Sequence, residues 1–463
     1  MIDTRAIDNL ELKGILERDE DHFFDVKGKD VQPAKLQDTF VAFANADGGD
    51  IYIGIEDKKF IGDRVRPFQS KEEANAILTV LLEQTNPSVE GTTVEFLEIS
   101  SNSFVLHFSI PKSPKVHYTA GGDCYIRVNA GKLKIKGERV TQLAFSKGSI
   151  PYERVPVESI TINEIKESAI LTNYMSRIQT SLNPELFLKK QRLISLKNEN
   201  DYPNVGCVLL FDDEPQATIE TRCAIKVYRL RTTESEYKRE QLFEPPTTIN
   251  GSIENSINQA ILKVKGLLDG ASFHDGENII RLQYPAEAIK EVLVNAVIHR
   301  DYSLNDDIHI KIFDNRLEIS SPGKLPGYMT IQNLYDERFS RNPNIVRLLH
   351  NLPNPLNHDI GEGLDTVRNE LKKAGLVDPI FEERGNSFVV IIRHQKLASI
   401  EDVVINYLLE NPNAEITNKL VRKLSGEDDI NKVKNALQKL RRDGQIVLIN
   451  DRARAFDYKY KKA

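Results

Sequence analysis

Two stretches near the start of the chain decide the fold of its first part: EDHFFDVK at residues 20–27 and AFANADGGDIYIGIED at residues 42–57. The first stretch predicts a strand over Phe23–Lys27, and Pro33 predicts the start of the helix that follows it. The two glycines of the second stretch predict a tight turn that leads into another strand, Asp50–Ile55. The pattern therefore predicts two strands of one sheet, joined by a helix.

Further apolar runs extend this first unit along the chain. Phe104–Ile110 and Tyr125–Val128 are predicted to add strands to the same sheet, so residues 1–150 are expected to form an α+β domain. A chain of 463 residues is too long for one hydrophobic core, and domains of roughly 100–200 residues are usual. We therefore expect an α+β multi-domain protein.

The remaining chain divides where its pattern changes. A helical connector, a second α/β domain and a C-terminal helical module are predicted over residues 151–204, 205–397 and 398–463. The second domain is predicted to begin with a strand at Val205–Phe211, and its last strong strand is predicted at Phe388–Ile392.

The composition and the cysteine spacing argue against a disordered or fibrous protein, a disulfide framework, a structural zinc site and a membrane-spanning protein. Apolar residues make up 40% and charged residues 28% of the chain, as in ordinary folded domains. The three cysteines lack CxxC spacing, and no run approaches the roughly 18 apolar residues that a membrane span needs. We therefore expect a cytoplasmic protein with no membrane contact. Because the net charge is -6, a nucleic-acid site is expected only as a local basic patch.

Three acidic residues flank the predicted strands of the first domain: Glu20, Asp25 and Glu56. The two-residue period of a strand places Lys27 on the same face as Asp25. Clustered carboxylates repel one another unless one is protonated or a hard cation such as Mg²⁺ or Mn²⁺ binds them. Such a metal activates water for attack on a phosphodiester, and a nearby lysine stabilises the developing charge. The alternative is that these acids are solvated surface groups.

The same residues resemble a known family. The Glu-x4-Asp-x-Lys pattern followed by AFANADGGDIYIGIED is similar to the Schlafen-type AlbA-like domain, and CYIRVNAG at residues 124–131 resembles a later strand of that domain. In Schlafen members that cleave RNA, three acidic positions are catalytic, and these fall on Glu20, Asp25 and Glu56. Asp25 stands for the usual Glu and Glu56 for the usual Asp. Other bacterial relatives are described only as nucleic-acid-binding, so the resemblance implies either activity.

A basic strip lies near the end of this domain and consists of Arg127, Lys132, Lys134, Lys136 and Arg139. These side chains are candidate contacts to the phosphates of RNA or DNA. The alternative is the solvated face of a hairpin and of the helix that follows it.

The most informative segment of the second domain is AEAIKEVLVNAVIHRDY at residues 286–302. Pro285 predicts the start of a helix with one apolar stripe. Glu291, Asn295 and His299 recur every fourth residue, so the helical period places them on one polar face. That face is either solvated or directed at a ligand.

The segments that follow are IHIKIFDNRLEISSPG, SRNPNIVRLLH and GEGLDTVRNELKKAG. The succession is similar to the gyrase, chaperone, histidine-kinase and MutL (GHKL) ATP-binding fold, an α/β sandwich, in the variant of bacterial RecG-like proteins and transcriptional regulators. The resemblance implies that ATP binds here, that Glu291 positions the attacking water and that Asn295 binds Mg²⁺. His299 belongs to the same face. Gly361 and Gly363 would let backbone amides approach the phosphates.

The chain departs from the superfamily at the adenine site. The usual Asp-x-Gly-x-Gly is replaced by the Pro-Gly form that ends in Gly323, a form shared by the RecG-like variant. The acid that reads the adenine amino group is missing. We therefore expect ATP binding with slow hydrolysis or none.

The C-terminal module follows the order of a winged helix-turn-helix. A short helix capped at Ile416–Asn418 precedes a second helix over Asp429–Arg442, and a strand pair at Ile446–Ile449 and Ala455–Tyr460 forms the wing. The second helix is a candidate recognition helix for the major groove of DNA. Its basic residues are Lys432, Lys434, Lys439, Arg441 and Arg442. The alternative is a module for protein contacts.

Three functions remain open at the level of sequence. The first is a nucleotide-regulated, metal-dependent Schlafen-like endonuclease that cleaves RNA, tRNA or DNA, for instance in defence against phage. The second is a transcriptional regulator that binds DNA and is switched by ATP without cleavage. The third is an ATP-driven scaffold, because GHKL folds commonly dimerise and a homo-oligomer is expected. Repulsion between phosphates and clustered acids favours the first.

Overall fold

The structure is a computed structural model of the 463-residue chain. It describes residues 2–275, 278–357, 363–394, 400–412, 414–425, 429–450 and 458–463. The chain divides into two compact units. The first unit consists of Met1–Glu370 with Pro379–Ile392, and the second of Leu371–Asp378 with Arg393–Ala463.

The first part of unit one is a mixed α/β domain. Its elements are β1 Asp3–Ala6, α1 Asn9–Glu17, β2 Phe24–Lys27, α2 Pro33–Asn45, β3 Gly49–Ile53, α3 Asn75–Leu78, β4 Thr93–Ser100, β5 Ser103–Ile110, β6 Cys124–Val128, β7 Gly131–Ile135 and α4 Glu138–Lys147. A 3-10 turn at Glu72–Ala74 and a π turn at Thr79–Glu83 flank α3. The strands and the helix predicted from the sequence for this domain are therefore present.

Five of these strands form one sheet in the order β1-β4-β5-β3-β2. Strands β2 and β3 pair in parallel, with Phe24 opposite Asp50, and α2 connects them. Helix α2 packs one face of the sheet through a core that contains Leu36, Phe40 and Phe43. This crossover brings the ends of β2 and β3 to one edge of the sheet.

Glycines at the turn before β3 allow the two strands to approach. Gly48 and Gly49 have positive φ values of 80° and 145°. A Cβ atom on Gly49 would lie 2.5 Å from the carbonyl oxygen of Phe23, and the amide of Asp50 donates to that same oxygen at 2.8 Å. A side chain at Gly49 would therefore push β3 away from the start of β2.

Strand β6 differs from its predicted position. It pairs with β7 in a separate hairpin and does not extend the five-stranded sheet. The buried side chain of Asn45, at the end of α2, ties this hairpin to the helix, because its Nδ2 donates to the carbonyl oxygens of His117 at 2.8 Å and Tyr125 at 2.9 Å. Non-local pairing of this kind is not encoded in the apolar pattern of Tyr125–Val128 itself.

The rest of unit one spans the residues predicted as the connector and the second α/β domain. Its elements are α5 Ile162–Glu167, α6 Ala169–Arg177, α7 Pro184–Lys190, β8 Ile194–Lys197, β9 Asn200–Pro203, α8 Val205–Phe211, α9 Pro215–Thr218, β10 Ile225–Arg229, β11 Thr247–Ile249, α10 Ile253–Asp269, β12 Ser272–Asp275, β13 Asn278–Arg281, α11 Ala286–Ile298, β14 Ile308–Ile312, β15 Arg316–Pro322, α12 Pro343–His350, α13 Gly363–Lys373, β16 Ile380–Arg384 and β17 Ser387–Arg393. However, the end of α13 from Leu371 and the last residue of β17, Arg393, fall in unit two. Two 3-10 turns lie at Tyr152–Arg154 and Arg239–Gln241.

A six-stranded sheet in the order β11-β10-β14-β15-β17-β16 supports this domain. Helix α10 packs against β10 and helix α11 against β15, and the two helices pack against each other. The apolar stripe predicted for α11 is buried, and it consists of Ile289, Val292, Leu293, Ala296 and Val297.

One predicted strand is wrong, because Val205–Phe211 forms helix α8. All seven of its residues are buried, and a fully apolar run carries no period that separates a helix from a strand. The side chain of Asn204 caps the helix by accepting a hydrogen bond from the amide of Cys207 at 3.0 Å. The asparagine was the local signal for a helix.

The second unit contains three helices and a strand pair in its described residues. These are α14 Ile400–Glu410, α15 Asn418–Ser425, α16 Ile430–Arg442, β18 Ile446–Leu448 and β19 Tyr460–Lys462. Strands β18 and β19 are antiparallel, and Ile416 bridges to Tyr460. Val404, Val433 and Leu437 belong to one buried core. The predicted strand start at Ala455 lies outside the described residues.

Across the part of the chain that the structure describes, no helix has both the length and the apolar character needed to cross a bilayer.

Candidate functional site

Strand β2 brings an acid and a lysine together as its two-residue period predicts. Lys27 Nζ contacts Asp25 Oδ1 and lies 3.2 Å from Glu20 Oε1. Glu20 Oε1 also accepts a hydrogen bond from the amide of Val26 at 3.3 Å, which holds Glu20 beside the strand. Two of the three predicted acids therefore meet around one ammonium group.

The pKa of Glu20 reflects this crowding. Burial raises the pKa of its carboxyl group, and the neighbouring Asp25 raises it further, while the positive charge of Lys27 acts in the opposite direction. Asp25 is the more deeply placed of the two, with only 2% of its surface exposed. The raised pKa makes Glu20 a candidate for proton exchange.

Arg127 lies under this pair and not on the surface predicted for it. Its residue exposure is 3%, and Nη1 is 2.6 Å from Asp25 Oδ2. Nη2 donates to the carbonyl oxygen of Asp21 at 2.8 Å, and the guanidinium lies 4.4 Å from the ring centre of Phe43. Arg127 is therefore a buried support for Asp25 and is removed from the candidate phosphate contacts.

The third predicted acid has other partners. Glu56 Oε1 is 3.0 Å from Arg66 Nη1. Its carboxylate also faces Gly28, where a Cβ atom would lie 2.3 Å from Glu56 Oε1. In the described residues, no group of three or more Asp, Glu, His or Cys side chains is arranged to hold a metal ion. The predicted metal set of Glu20, Asp25 and Glu56 is therefore not brought together, and Lys27 supplies the positive charge between the first two.

The rest of the basic strip is exposed on β7 and at the start of α4. Lys132 Nζ is 3.3 Å from Asp38 Oδ2, and Lys134 Nζ is 2.5 Å from Asp123 Oδ2. Lys136 is exposed as well. Acidic neighbours thus offset part of the charge of this strip, and Arg139 at the start of α4 is exposed as Lys136 is.

A cavity of about 410 Å³ lies in the second domain of unit one. Five of the six predicted nucleotide-binding residues line it, although they come from three separate segments of the chain. They are Glu291, Asn295, His299, Gly323 and Gly363. The sixth, Gly361, lies outside the described residues. The period of α11 therefore directs its polar face into a cavity.

Gly363 lies close to the α11 side of this cavity. A Cβ atom on Gly363 would lie 3.0 Å from Glu291 Oε2 and 3.3 Å from Asn295 Nδ2. Gly363 is also the first residue of α13. The start of that helix therefore faces the acid and the amide of α11, and the positive end of a helix dipole favours an anion nearby.

His299 ends α11 next to a buried arginine. Arg341 Nη1 donates to the carbonyl oxygen of His299 at 3.0 Å, and Nη2 donates to that of Lys324 at 2.7 Å. Burial and the charge of Arg341 lower the pKa of His299 to about 4. The imidazole is therefore neutral at pH 7 and offers the cavity a hydrogen-bonding group without charge.

Arg341 also shapes the turn that replaces the usual adenine-reading motif. Gly323 has a φ of 113°, and a Cβ atom there would lie 2.5 Å from Arg341 Nη1. The turn therefore requires glycine in order to close over the guanidinium. Sequence reasoning did not single out Arg341, although its SRNPN segment marked this region.

Two buried polar atoms in the cavity wall have no hydrogen-bond partner within the described residues. They are Ser340 Oγ and Asn357 Oδ1. Buried polar atoms are normally satisfied, and such exceptions are typical of ligand sites. Ser340 Oγ can donate or accept a hydrogen bond and Asn357 Oδ1 can accept one, so this pair of atoms fits a polar ligand such as a nucleotide.

Comparisons with known proteins match two regions of the chain. Residues 20–136 match the family model "Schlafen, AlbA_2". Residues 305–392 match the family model "Putative ATP-dependent DNA helicase recG C-terminal". The chain joins a Schlafen AlbA_2 domain to a RecG-type ATPase domain. These domains suggest a nucleic-acid-related, ATP-dependent protein.

The Schlafen AlbA_2 region contains the Glu20, Asp25 and Lys27 cluster. The RecG-type region begins after α11, so Glu291 and Asn295 precede it in sequence but line the same cavity as residues of that region. A solved structure, the DIP2311 protein from Corynebacterium diphtheriae, is 17% identical, with 98% of this chain and 96% of that chain covered and a TM-score of 0.40. No curated protein matches the chain.

The RecG-type cavity also fits the magnesium ion that accompanies ATP. Glu291 and Asn295 carry oxygen donors one helical turn apart on the same wall, and oxygen is the ligand that Mg²⁺ prefers. The ion, when bound, neutralises phosphate charge. Asn295 is the residue that would hold it, and Glu291 lies one helical turn away on the same wall.

The basic residues predicted on the C-terminal recognition helix are exposed on α16. The opposite face of α16 is buried through Val433, Ala436, Leu437 and Leu440. Lys439 Nζ is 3.1 Å from Glu401 Oε1. The exposed side of the helix therefore carries the five predicted cations, Lys432, Lys434, Lys439, Arg441 and Arg442.

Proposed function

We propose that this protein binds nucleic acid through its Schlafen AlbA_2 domain under the control of a nucleotide bound in the RecG-type domain. One observation carries the proposal: residues from α11, from the Gly323 turn and from the start of α13 line a single cavity. A pocket in which polar groups from several segments converge is the usual form of a ligand site, and this convergence supports a shared nucleotide.

In this proposal ATP binds with its phosphates near the start of α13. The Gly363 backbone approaches the phosphates, and Glu291 orients a water molecule in line for attack on the terminal phosphate. His299 remains neutral and donates or accepts a hydrogen bond at the inner wall. The Ser340 hydroxyl and the Asn357 amide gain partners from the ligand. Because the usual adenine-reading acid is missing, we expect slow turnover or none.

The finer proposal for the first domain is a Schlafen-like endonuclease that acts on RNA, tRNA or DNA. Lys27 is placed to stabilise negative charge on a phosphodiester, and Glu20 is placed to accept or donate a proton, because its pKa is raised. Asp25, fixed by Arg127, orients Lys27. Since the three acids do not form a shared site, no step of this proposal passes through Mg²⁺ or Mn²⁺.

A second candidate function is an ATP-switched DNA-binding regulator without cleavage. It is favoured by the internal neutralisation of the acids, since Lys27 and Arg127 offset Glu20 and Asp25, and Arg66 offsets Glu56. Neutralised acids would repel the phosphate backbone less. The exposed cations of α16 would then supply DNA contacts through a winged helix-turn-helix. Either function is proposed for a cytoplasmic protein that assembles as a homo-oligomer, and phage defence is one setting for the first.

The test is a cleavage and binding assay with labelled tRNA, single-stranded DNA and double-stranded DNA, with and without ATP, Mg²⁺ and Mn²⁺. Glu20→Gln removes the charge of the acid while Asp25 and Arg127 stay paired. Glu17→Gln is the matched control, because Glu17 is an exposed acid paired only with Lys13 at 3.6 Å in the described residues.

Cleavage that Glu20→Gln loses and Glu17→Gln retains would establish the endonuclease and identify its substrate. Cleavage only in the presence of Mg²⁺ or Mn²⁺ would mean that the acids rearrange around a metal. Binding by all three proteins without cleavage under any condition would remove the endonuclease and leave the regulator. Binding that ATP does not change would contradict control by the nucleotide.

A further inference from the structure

The wall of the cavity is attached directly to the Schlafen AlbA_2 domain. Leu325 lines the cavity, and its carbonyl oxygen accepts a hydrogen bond from Lys112 Nζ at 3.0 Å. The amide of Gly327 donates to the carbonyl oxygen of Lys147 at 3.0 Å, and Arg341 Nη2 donates to that of Ser146 at 3.0 Å. The same segment therefore forms a cavity wall and an interface with the end of α4.

Phe339 closes this interface. It lines the cavity, and a Cβ atom on Gly148 would lie 2.5 Å from its Cε1. On the other side, a Cβ atom on Gly327 would lie 2.7 Å from the same ring. The Phe339 ring is packed between Gly148 and Gly327, one from each domain. Because the packing leaves no free space there, a movement of the cavity wall would displace the end of α4 directly.

A continuous chain of polar contacts leads from this wall to the carboxylate cluster. Lys112 Nζ, which holds Leu325, is also 3.2 Å from Asp47 Oδ1. Asp47 Oδ2 is 2.9 Å from His22 Nε2. His22 belongs to the EDHFFDVK segment and lies two residues after Glu20. Three contacts therefore link a cavity wall to the segment that carries the proposed catalytic acid.

Asp47 is the electrostatic centre of this chain. The hydrogen bond with His22 and the charge and hydrogen bond of Lys112 hold the pKa of Asp47 well below its usual range, and the charge of Lys324 adds to them. Lys324 also lines the cavity. A nucleotide phosphate near Lys324 would attract the ammonium group of Lys324, so it would compete with Asp47 for that positive charge.

We infer that Asp47 and Lys112 are positioning residues that transmit nucleotide occupancy of the cavity to the Glu20–Lys27 cluster. The inference rests on the proposed function, and it names the route by which one domain controls the other. The nucleotide acts on the wall at Lys324 and Leu325. Lys112 and Asp47 pass that change to His22, and His22 alters the position of Glu20 relative to Lys27.

The test is hydrogen–deuterium exchange of the full chain with and without ATP and Mg²⁺, so that no cleavage assay is needed. Lys112→Met breaks the chain, and Lys112→Arg keeps the charge and the donor. Lys115→Met is the matched control, because Lys115 is 48% exposed and pairs with Glu90 at 2.6 Å on the surface. Protection at residues 291–299 reports ATP binding, and exchange at residues 20–27 reports transmission.

We expect ATP to protect residues 291–299 in all four proteins. We expect it to change exchange at residues 20–27 by about fivefold or more in the native protein, Lys112→Arg and Lys115→Met, which is the lower range of allosteric coupling. Lys112→Met should lose that change. Asp47→Asn, which keeps the size of the side chain, should lose it as well and serves if Lys112→Met does not fold.

The exchange data distinguish nucleotide binding in the cavity from transmission of that binding to residues 20–27. Protection at residues 291–299 without any change at residues 20–27 in the native protein would overturn the inference and leave the nucleotide site intact. An equal change in Lys112→Met and Asp47→Asn would also overturn it. No protection at residues 291–299 in the native protein would overturn the nucleotide site and the inference together.

Discussion

Gly363→Ala is expected to weaken ATP binding through a single methyl group. The added Cβ atom would lie 3.0 Å from Glu291 Oε2 and 3.3 Å from Asn295 Nδ2, both tighter than an ordinary contact of about 3.5–4.0 Å. Either the acid and the amide move or the start of α13 moves. Both movements enlarge the distance between the groups proposed to hold the phosphates and the magnesium ion.

The size of the effect follows from the cost of overpacking. An extra methyl group in a packed site typically costs about 1–3 kcal/mol. If that cost falls on the ATP-bound arrangement, the Kd for ATP rises by about five- to 150-fold, since 1.4 kcal/mol corresponds to a factor of about ten. Isothermal titration calorimetry with ATP and Mg²⁺ measures this directly.

Gly266→Ala is the matched control for this substitution. Gly266 lies within α10, and a Cβ atom there meets nothing within 4 Å. Alanine is favoured over glycine inside a helix by roughly 0.5–1 kcal/mol, so this variant should bind ATP normally and melt at a slightly higher temperature. Unchanged ATP affinity in Gly363→Ala, with the native melting temperature, would refute the placement of the phosphates beside Glu291 and Asn295.

Three further predictions follow from particular contacts. Arg127→Met should lower the free energy of unfolding by about 3–5 kcal/mol in urea titrations, because it leaves the buried carboxylate of Asp25 without its guanidinium. Because the pKa of His299 is lowered from 6.5 to about 4, the unfolded chain binds a proton at a higher pH than the folded chain. The free energy of unfolding should therefore fall by up to about 1.4 kcal/mol per pH unit as the pH drops from 6.5 to about 4. His299→Gln should lack this dependence in unfolding titrations at about pH 4–8. Lys434→Ala with Arg442→Ala should weaken binding to double-stranded DNA and reduce the slope of log affinity against log salt by about two, as measured by fluorescence anisotropy; an unchanged slope would remove α16 from the DNA interface.

Local patterns were sufficient for much of the first domain. The two-residue period correctly placed Lys27 beside Asp25, and the paired glycines correctly marked the turn into β3. In α11 the four-residue spacing correctly put Glu291, Asn295 and His299 on one face, and that face lines the cavity. In each case the residues that determine the geometry are neighbours in the sequence.

Other features depended on contacts between distant residues. The lysines near Arg127 in the sequence suggest that it belongs to an exposed strip. Its ion pair with Asp25, 102 residues away in sequence, instead fixes it in the interior. The run Val205–Phe211 is apolar at every position, so only the cap at Asn204 distinguishes a helix from a strand. Arg341 bonds to Ser146 across 195 residues. No period or motif in the sequence reports such pairings.

The chain of polar contacts from the cavity wall ends at His22, and this position determines that Glu20, and not Asp25, responds to the nucleotide. His22 and Glu20 lie in the irregular segment before β2, whereas Asp25 lies within the strand and is held by Arg127. A strand paired with β3 and fixed by a buried ion pair resists displacement more than the segment that precedes it. A shift of Asp47 should therefore move Glu20 away from or towards Lys27 while Asp25 stays in place. In this way one ammonium group shared by two carboxylates becomes sensitive to the nucleotide, because only one of its two partners lies outside the strand.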